Sequence, residues 1–291
     1  MLLLVDLDGV LYRGSHPVEG MAEVFARRVA TGDRVVYVTN NSMHYRADYV
    51  ARLRALGAPV EPDLVVTSAR ATALHIAHDR GDATARIRRV LVVGASGLER
   101  ELRDVGLDVV GAAHAATRMA QEGIDGVAAA GSPDAVVCGL DPQLTYLRLA
   151  AAADCIRAGA RFIATNRDPV FPTERGLRPG AGSVVAALEA TTGTTALSIG
   201  KPEPWLFELA AEAGGGTAAE AVVVGDNLAT DIRGARAVGA RSVLVMTGVA
   251  TPDQLDALDR GDHPTEVAQD AAELEAALDR LAPASVEPTV R

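Results

Sequence analysis

The chain has 291 residues, 48% of them hydrophobic, and a formal net charge of −10. That length suggests about two domains, on a prior of roughly 150 residues each. The acidic balance argues against a nucleic-acid or anionic-membrane surface, both of which need a basic face, and no apolar run is long enough to span a bilayer.

The first stretch is Leu2-Leu3-Leu4-Val5-Asp6-Leu7-Asp8-Gly9-Val10. A run of β-formers ends in two carboxylates one residue apart, then a glycine. Strand side chains alternate faces, so Asp6 and Asp8 point the same way. Two like charges at a strand end repel. They persist where a positive group sits between them, or where one attacks while the other handles a proton. Taken alone, the pair reads equally well as a strand end meeting an acidic turn. Asp6 and Asp8 also interrupt the apolar stretch too early for a signal peptide, and a cytoplasmic protein is expected.

Tyr12 to Glu19 reads as a loop with turn residues Gly14, Ser15 and Pro17, and Gly20 to Ala30 as a helix. Arg34 to Val38 is a second buried strand, with Thr39-Asn40-Asn41-Ser42 at its end. Asn41 or Ser42 is expected to cap a helix running to about Leu56. The amides of Asn40 and Asn41 would then face outward at a helix start, an anion site. Leu64 to Thr67 is a strand and Ser68 to about Asp79 a helix. Its His75 and His78 have no third metal ligand nearby and read as a solvated face.

Gly81 to Arg86 looks like a seam, after which a new alternation begins. Strands are expected at Val90–Val93, Val109–Val110, Asp134–Cys138 and Phe162–Thr165, with helices at Gly97–Val105 and Tyr146–Ala158. A turn-rich loop runs from Asn166 through Asp168 to Gly182, and Ser183 opens a helix to Ala190. Gly180-Ala181-Gly182 lacks the third glycine and acidic partner of a dinucleotide site and reads as a hinge. Cys138 and Cys155 lie in apolar stretches without partners at metal spacing and read as reduced core residues.

From Leu197 buried strands return. Gly200-Lys201-Pro202-Glu203 precedes a helix over Trp205–Ala213; Glu203 either pairs with Lys201 or caps that helix. Gly214-Gly215-Gly216 reads as a turn. Val222 to Val224 ends in Gly225-Asp226-Asn227, with Thr230-Asp231 opening the next helix. Ser242 to Met246 is the last strong strand, Val267 a weak edge strand, Ala271 to Leu281 a helix, and the tail from Pro283 loose. Every basic residue but one is arginine; Lys201 is the only lysine. Lysine is a compact charge and arginine a planar fork, so a site needing a point charge cannot accept the swap.

This alternation predicts a mostly parallel α/β sheet with both faces covered, and the ligand at the carboxyl ends of its strands. Four such ends carry reactive residues: Asp6/Asp8, Thr39/Asn40, Lys201 and Asp226. Thr39 offers a hydroxyl and Lys201 a charge to an oxyanion, while Asp6, Asp8, Asp226 and Asp231 repel it. A hard divalent cation resolves that conflict, and oxygen-only ligands favour Mg²⁺.

Asp6-Leu7-Asp8-Gly9-Val10, Thr39-Asn40-Asn41, Lys201-Pro202 and Gly225-Asp226-Asn227-Leu228-Ala229-Thr230-Asp231 resemble, in order, the four motifs of the haloacid dehalogenase (HAD) superfamily. Ala164 to Asp168, Pro179 to Ser183 and Gly200 to Pro204 resemble its NagD-like, 4-nitrophenylphosphatase branch. The resemblance reaches to about Leu281. It implies a Rossmann-like core over 1–81 and 195–291, with an inserted α/β C2-type cap over 82–194. It also implies a Mg²⁺-dependent phosphatase that hydrolyses small phosphorylated metabolites, such as glycerol phosphate, phosphoglycolate or nucleoside monophosphates. By that resemblance Asp6 is the nucleophile and Asp8 the acid/base. Thr39, Asn40 and Lys201 bind phosphate, and Asn41 adjoins them. Asp6, Asp8 (through its carbonyl) and Asp226 hold the metal, with Asp231 and Asn227 in support. The loop around Asp168 faces the leaving group, and the cap is where a homodimer would form. The competing expectation is a receiver-like, phosphate-responsive module without turnover. Asp8 and the large insertion speak against it.

Overall fold

A computed structural model describes residues 1–78, 86–122, 132–173 and 176–282. Its strands, in chain order, are β1 Leu2–Asp6, β2 Tyr12–Arg13, β3 His16–Pro17, β4 Arg34–Thr39, β5 Val65–Thr67, β6 Arg89–Val93, β7 Asp108–Gly111, β8 Ala135–Cys138, β9 Arg161–Ala164, β10 Val170–Thr173, β11 Gly176–Pro179, β12 Leu197–Ser198, β13 Val222–Gly225, β14 Arg241–Val245 and β15 Glu266–Ala268. The helices are α1 Met21–Ala30, α2 Arg46–Ala55, α3 Ser68–His78, α4 Ser96–Asp104, α5 Ala112–Glu122, α6 Tyr146–Arg157, α7 Ala181–Thr192, α8 Pro204–Ala213, α9 Arg233–Ala237, α10 Pro252–Asp256 and α11 Ala271–Leu281.

Two parallel sheets organise these elements. The first has the order β15-β14-β13-β1-β4-β5. Its strands are apolar on both faces because both faces are covered. Alternate residues show the division: Leu3, Val5, Val35 and Tyr37 pack with Phe25 of α1, Leu53 of α2 and Leu274 of α11. Leu4, Val36 and Val38 pack on the other side with Ile76 of α3 and Phe207 of α8. Central β1 pairs with β4 on one side and β13 on the other. The strand order reverses about β1, and the crevice at its carboxyl end is where such sheets bind ligands.

The second sheet has the order β12-β9-β8-β6-β7 and all its pairs are parallel. All five of its strands lie between β5 and β13 in the chain. Leu91, Val93 and Val136 pack beneath α5, α6 and α7. Val90, Val92 and Leu98 join the cluster of Leu4 and Phe207, so one apolar layer runs between the two sheets.

Several local expectations need correction. The segment after β4 is not helical at Asn41 or Ser42; α2 begins at Arg46, with Tyr45 at its N-cap. Asn41 Oδ1 instead accepts from the Met43 amide at 3.0 Å, closing a side-chain turn. α5 was not foreseen, and the loop after Asp168 contains the antiparallel pair β10–β11. α7 starts at Ala181, and Gly180-Ala181-Gly182 is a tight contact, not a hinge. A Cβ on Gly180 would lie 2.2 Å from the Asp168 carbonyl oxygen, and one on Gly182 2.3 Å from that of Arg167. Leu197–Ser198 closes the edge of the second sheet against Ile163 and Ala164. The seam at Gly81–Arg86, Arg86 excepted, and the tail from Pro283 lie outside the described residues. No described helix is long and apolar enough to cross a membrane.

Candidate active site

β1, β4 and β13 end side by side, and their exits supply the floor of a cavity of about 420 Å³. Asp6 is the last residue of β1. Beyond it the chain turns sharply: the Leu7 carbonyl accepts from the Leu11 amide at 2.9 Å, and Gly9 sits at φ 81°. That conformation favours glycine. Space demands it too, since a Cβ on Gly9 would lie 2.1 Å from Asp226 Oδ2. Asp8, half-buried, lines the same cavity as Asp6.

Lys201 is 3% exposed and its ammonium reaches inward, not into solvent. Nζ donates to Asp6 Oδ1 at 2.6 Å and to Asp231 Oδ1 at 2.7 Å. Burial works against this ammonium, but Asp231 and Asp6 more than offset it and raise its pKa. The pairing of Lys201 with Glu203 does not occur. Glu203 is exposed at the N-cap of α8 and makes no side-chain cap.

Asp226 leaves β13 and is held by the loop after β14. Val249 N–H donates to its Oδ2 at 2.8 Å, and a Cβ on Gly248 would lie 1.7 Å from that oxygen. Thr247 Oγ1 donates to the Gly9 carbonyl at 2.7 Å, tying this loop to the β1 turn. Sequence reasoning missed Thr247, Gly248 and Val249. Their signal is position alone: they follow the last strong strand. Asn227 caps a short π-helical turn, accepting from Ala229 N–H at 2.9 Å. Asn227 N–H donates to Asp231 Oδ2.

Asp6, Asp226 and Asp231 each offer an oxygen within 4.8 Å of the others. All three are buried with one ammonium among them, so the cluster carries excess negative charge. Burial pushes the Asp6 carboxyl well above the usual range, with Asp231 and Asp226 adding to the shift and Lys201 opposing it. Asp226 is pushed up to about 6, by burial and then by Asp231. Burial also raises Asp8, against the pull of Arg52 and Lys201. An oxygen-only donor set with uncompensated charge is what a hard divalent cation fits.

Thr39 ends β4 and is buried; its Oγ1 accepts from the Asn41 amide at 3.1 Å. Asn41 lies on the cavity wall without a helix start behind it, so the expected helix-terminal anion site is absent there. Asn40 is a structural crosspiece. Its Oδ1 accepts from Lys201 N–H at 2.8 Å, and its Nδ2 lies 3.0 Å from the Lys201 carbonyl and 3.1 Å from both Asp168 carboxylate oxygens. Ser68 Oγ and Asn166 Nδ2 both donate to the Asn40 carbonyl. These two partners were not foreseen.

The second sheet is bolted to the same exit loop. Thr165 Oγ1 donates to Ser42 Oγ at 3.2 Å, and Gly97 N–H to the Met43 carbonyl at 3.1 Å. Fully buried Glu101 of α4 pairs with Arg46 of α2. The segment that carries Asp168 is thereby held over the ends of β1 and β4.

Two family models match the chain: haloacid dehalogenase-like hydrolase over residues 3–108 and HAD-hydrolase-like over 198–274. The 5'-nucleotidase YutF of Bacillus subtilis is 34% identical over 261 residues, covering 89% of this chain and 93% of that protein. The glycerol phosphate phosphatase of Mycobacterium tuberculosis, solved in complex with magnesium, superposes with a TM-score of 0.79 at 38% identity, covering 94% of this chain and 75% of that one. The 4-nitrophenylphosphatase of Thermotoga maritima gives 0.81 at 33% identity, over 95% and 97% of the two chains. With this ancestry and a carboxylate–lysine cluster at the switch of a parallel sheet, the chain belongs to the haloacid dehalogenase-like hydrolases. Within them it falls among the NagD-like phosphatases, and its reaction class is phosphoric monoester hydrolysis.

Proposed function

We propose that the chain hydrolyses small phosphomonoesters in the cytoplasm through a phospho-aspartate on Asp6, with Mg²⁺ bound by Asp6, Asp226 and the Asp8 carbonyl. The observation that carries this reading is the position of Lys201 Nζ between Asp6 and Asp231 on the floor of the cavity. When bound, the cation neutralises excess charge at the carboxylate cluster and on the phosphoryl oxygens. Asp231 supports it by holding Lys201 and the Asn227 amide.

An Asp6 carboxylate oxygen attacks phosphorus, and the bond from phosphorus to the ester oxygen breaks. Asp8 gives its proton to the departing alkoxide. Asp8 then takes a proton from water as that water's oxygen attacks phosphorus. The bond to Asp6 breaks and inorganic phosphate leaves. Lys201 stabilises the equatorial oxygens throughout. Thr39 donates its hydroxyl to the phosphoryl group, because its oxygen already accepts from the Asn41 amide. Asn40 binds phosphate through its backbone amide, while its carboxamide, engaged at both ends, positions Lys201 and Asp168.

The core is assigned to residues 1–81 and 195–291 and the cap to 82–194, with β12 the strand by which the returning chain remains paired to the cap sheet. The test is hydrolysis of 4-nitrophenyl phosphate with and without Mg²⁺, in the wild type and in Asp6→Asn. Activity is expected to need both the metal and the carboxylate. Undiminished turnover by Asp6→Asn removes the assigned nucleophile.

A further inference from the structure

The floor of the cavity is polar and its roof is not. Above the carboxylates the wall is built by Leu140, Pro169, Val170, Phe171, Leu177 and Val249. Four of these lie on the segment from Pro169 to Leu177 that carries β10 and β11. Leu177 is 67% exposed and Val170 46%. Apolar side chains at such exposed positions of a two-stranded hairpin contribute little to a core. They gain by being covered when the cavity fills.

Charge on the wall is equally one-sided. Among the described lining residues Lys201 is the only cation, and it is engaged by Asp6 and Asp231. On the roof side, the ionisable group among the described lining residues is Asp168, half-buried, its carboxylate held in place by Asn40 Nδ2. A second anionic group on the substrate would meet this carboxylate.

Resting on the phosphatase reading above, we infer that the alcohol portion of the substrate is uncharged and presents an apolar face to the hairpin, and that esters with a second anionic group are rejected. Phosphorylated hydroxy acids and bisphosphates fall outside this class. Aryl, alkyl and neutral polyol esters fall inside it.

A matched pair of esters separates charge from size: 4-carbamoylphenyl phosphate and 4-carboxyphenyl phosphate, assayed with Mg²⁺. The neutral ester is expected to have a kcat/KM at least about fivefold higher, from like-charge repulsion at Asp168. Leu177→Lys places a cation on the roof at an exposed position and is expected to cut that ratio at least about threefold. Inhibition by inorganic phosphate, which reports the floor alone, should stay unchanged. Leu177→Ala is expected to lower kcat/KM for the neutral ester about tenfold, the order of a few lost methylene contacts. A wild-type ratio under fivefold, or a Leu177→Lys ratio that does not fall, overturns the inference while the phosphatase reading stands. Failure to hydrolyse any phosphomonoester, 4-nitrophenyl phosphate included, overturns both.

Discussion

Lys201 Nζ lies 2.6 Å from Asp6 Oδ1, and neither side chain is more than a tenth exposed. The contact joins two segments 195 residues apart in the chain, so it forms only in the folded state. Removing one member of such a pair strands the other. Lys201→Met is expected to destabilise the protein by about 3–5 kcal/mol, because Asp6 and Asp231 lose their shared counter-charge. Urea unfolding measures this. Turnover should fall about 10²- to 10³-fold in the same variant, as a positive group on the developing charge is lost.

The carboxylate cluster also predicts a stability effect of the metal that is independent of turnover. Only the native chain brings Asp6, Asp226 and Asp231 within 4.8 Å. A ligand of the native state alone stabilises by about 2.7 kcal/mol at a hundredfold excess over its Kd. Mg²⁺ should therefore raise Tm, a chelator should reverse the rise, and Asp226→Asn should abolish most of it. An equal rise in Asp226→Asn would place the ion elsewhere.

Gly248 offers a sharper probe of Asp226, since the residue itself has no chemistry. An added Cβ would lie 1.7 Å from Asp226 Oδ2, closer than any contact allows, so the carboxylate must move. Gly248→Ala should lose about 10²-fold in activity, the scale expected when a catalytic group is displaced by about an ångström. The far-ultraviolet circular dichroism should be unchanged and the Mg²⁺-induced rise in Tm lost. Full activity in this variant would show that the site tolerates Asp226 in a second position.

The strand ends were legible in the sequence because a parallel sheet gives them a common destination. Asp6, Thr39 and Asp226 follow buried runs, and the lone lysine among arginines marked Lys201. What was not legible depends on which loop approaches which. Glu203 lies two residues from Lys201, yet the ammonium turns inward to Asp6 and Asp231 while Glu203 faces solvent. The loop of Thr247, Gly248 and Val249 carries no ionisable group; it meets Asp226 through the close approach of Gly248 and a hydrogen bond from the Val249 backbone amide. Asn40 read as a phosphate ligand from its place at the end of β4; the further partners of its carboxamide, the Lys201 backbone and Asp168, come from distant segments. The prolines and glycines around β10 and β11 hid a hairpin that packs against α7.

The two thiols predict how stability changes with alkali. Burial, with Asp141 adding to it, pushes Cys138 up from its ordinary 9.0 to about 12; burial and Asp154 push Cys155 up to about 11. The native state therefore keeps both protons at pH values where the unfolded chain releases them. Stability from this source is intact below about pH 9 and declines as pH rises from there towards 11, by at most about 1.4 kcal/mol per thiol per pH unit. Urea midpoints measured from about pH 8 to pH 10.5 should fall more steeply in the wild type than in Cys138→Ala. A thiol reagent at about pH 8 should modify neither residue until denaturant is added.

The most direct test of the central claim is to trap the covalent intermediate. Enzyme mixed with a ³²P-labelled phosphomonoester and Mg²⁺, then quenched in acid within a turnover, should carry label on the peptide containing Asp6, and the label should be released by alkali as an acyl phosphate is. Asp6→Asn should carry none. Continued turnover with no label on that peptide, or with label on another residue, would contradict the assignment of Asp6 as the group that receives the phosphoryl.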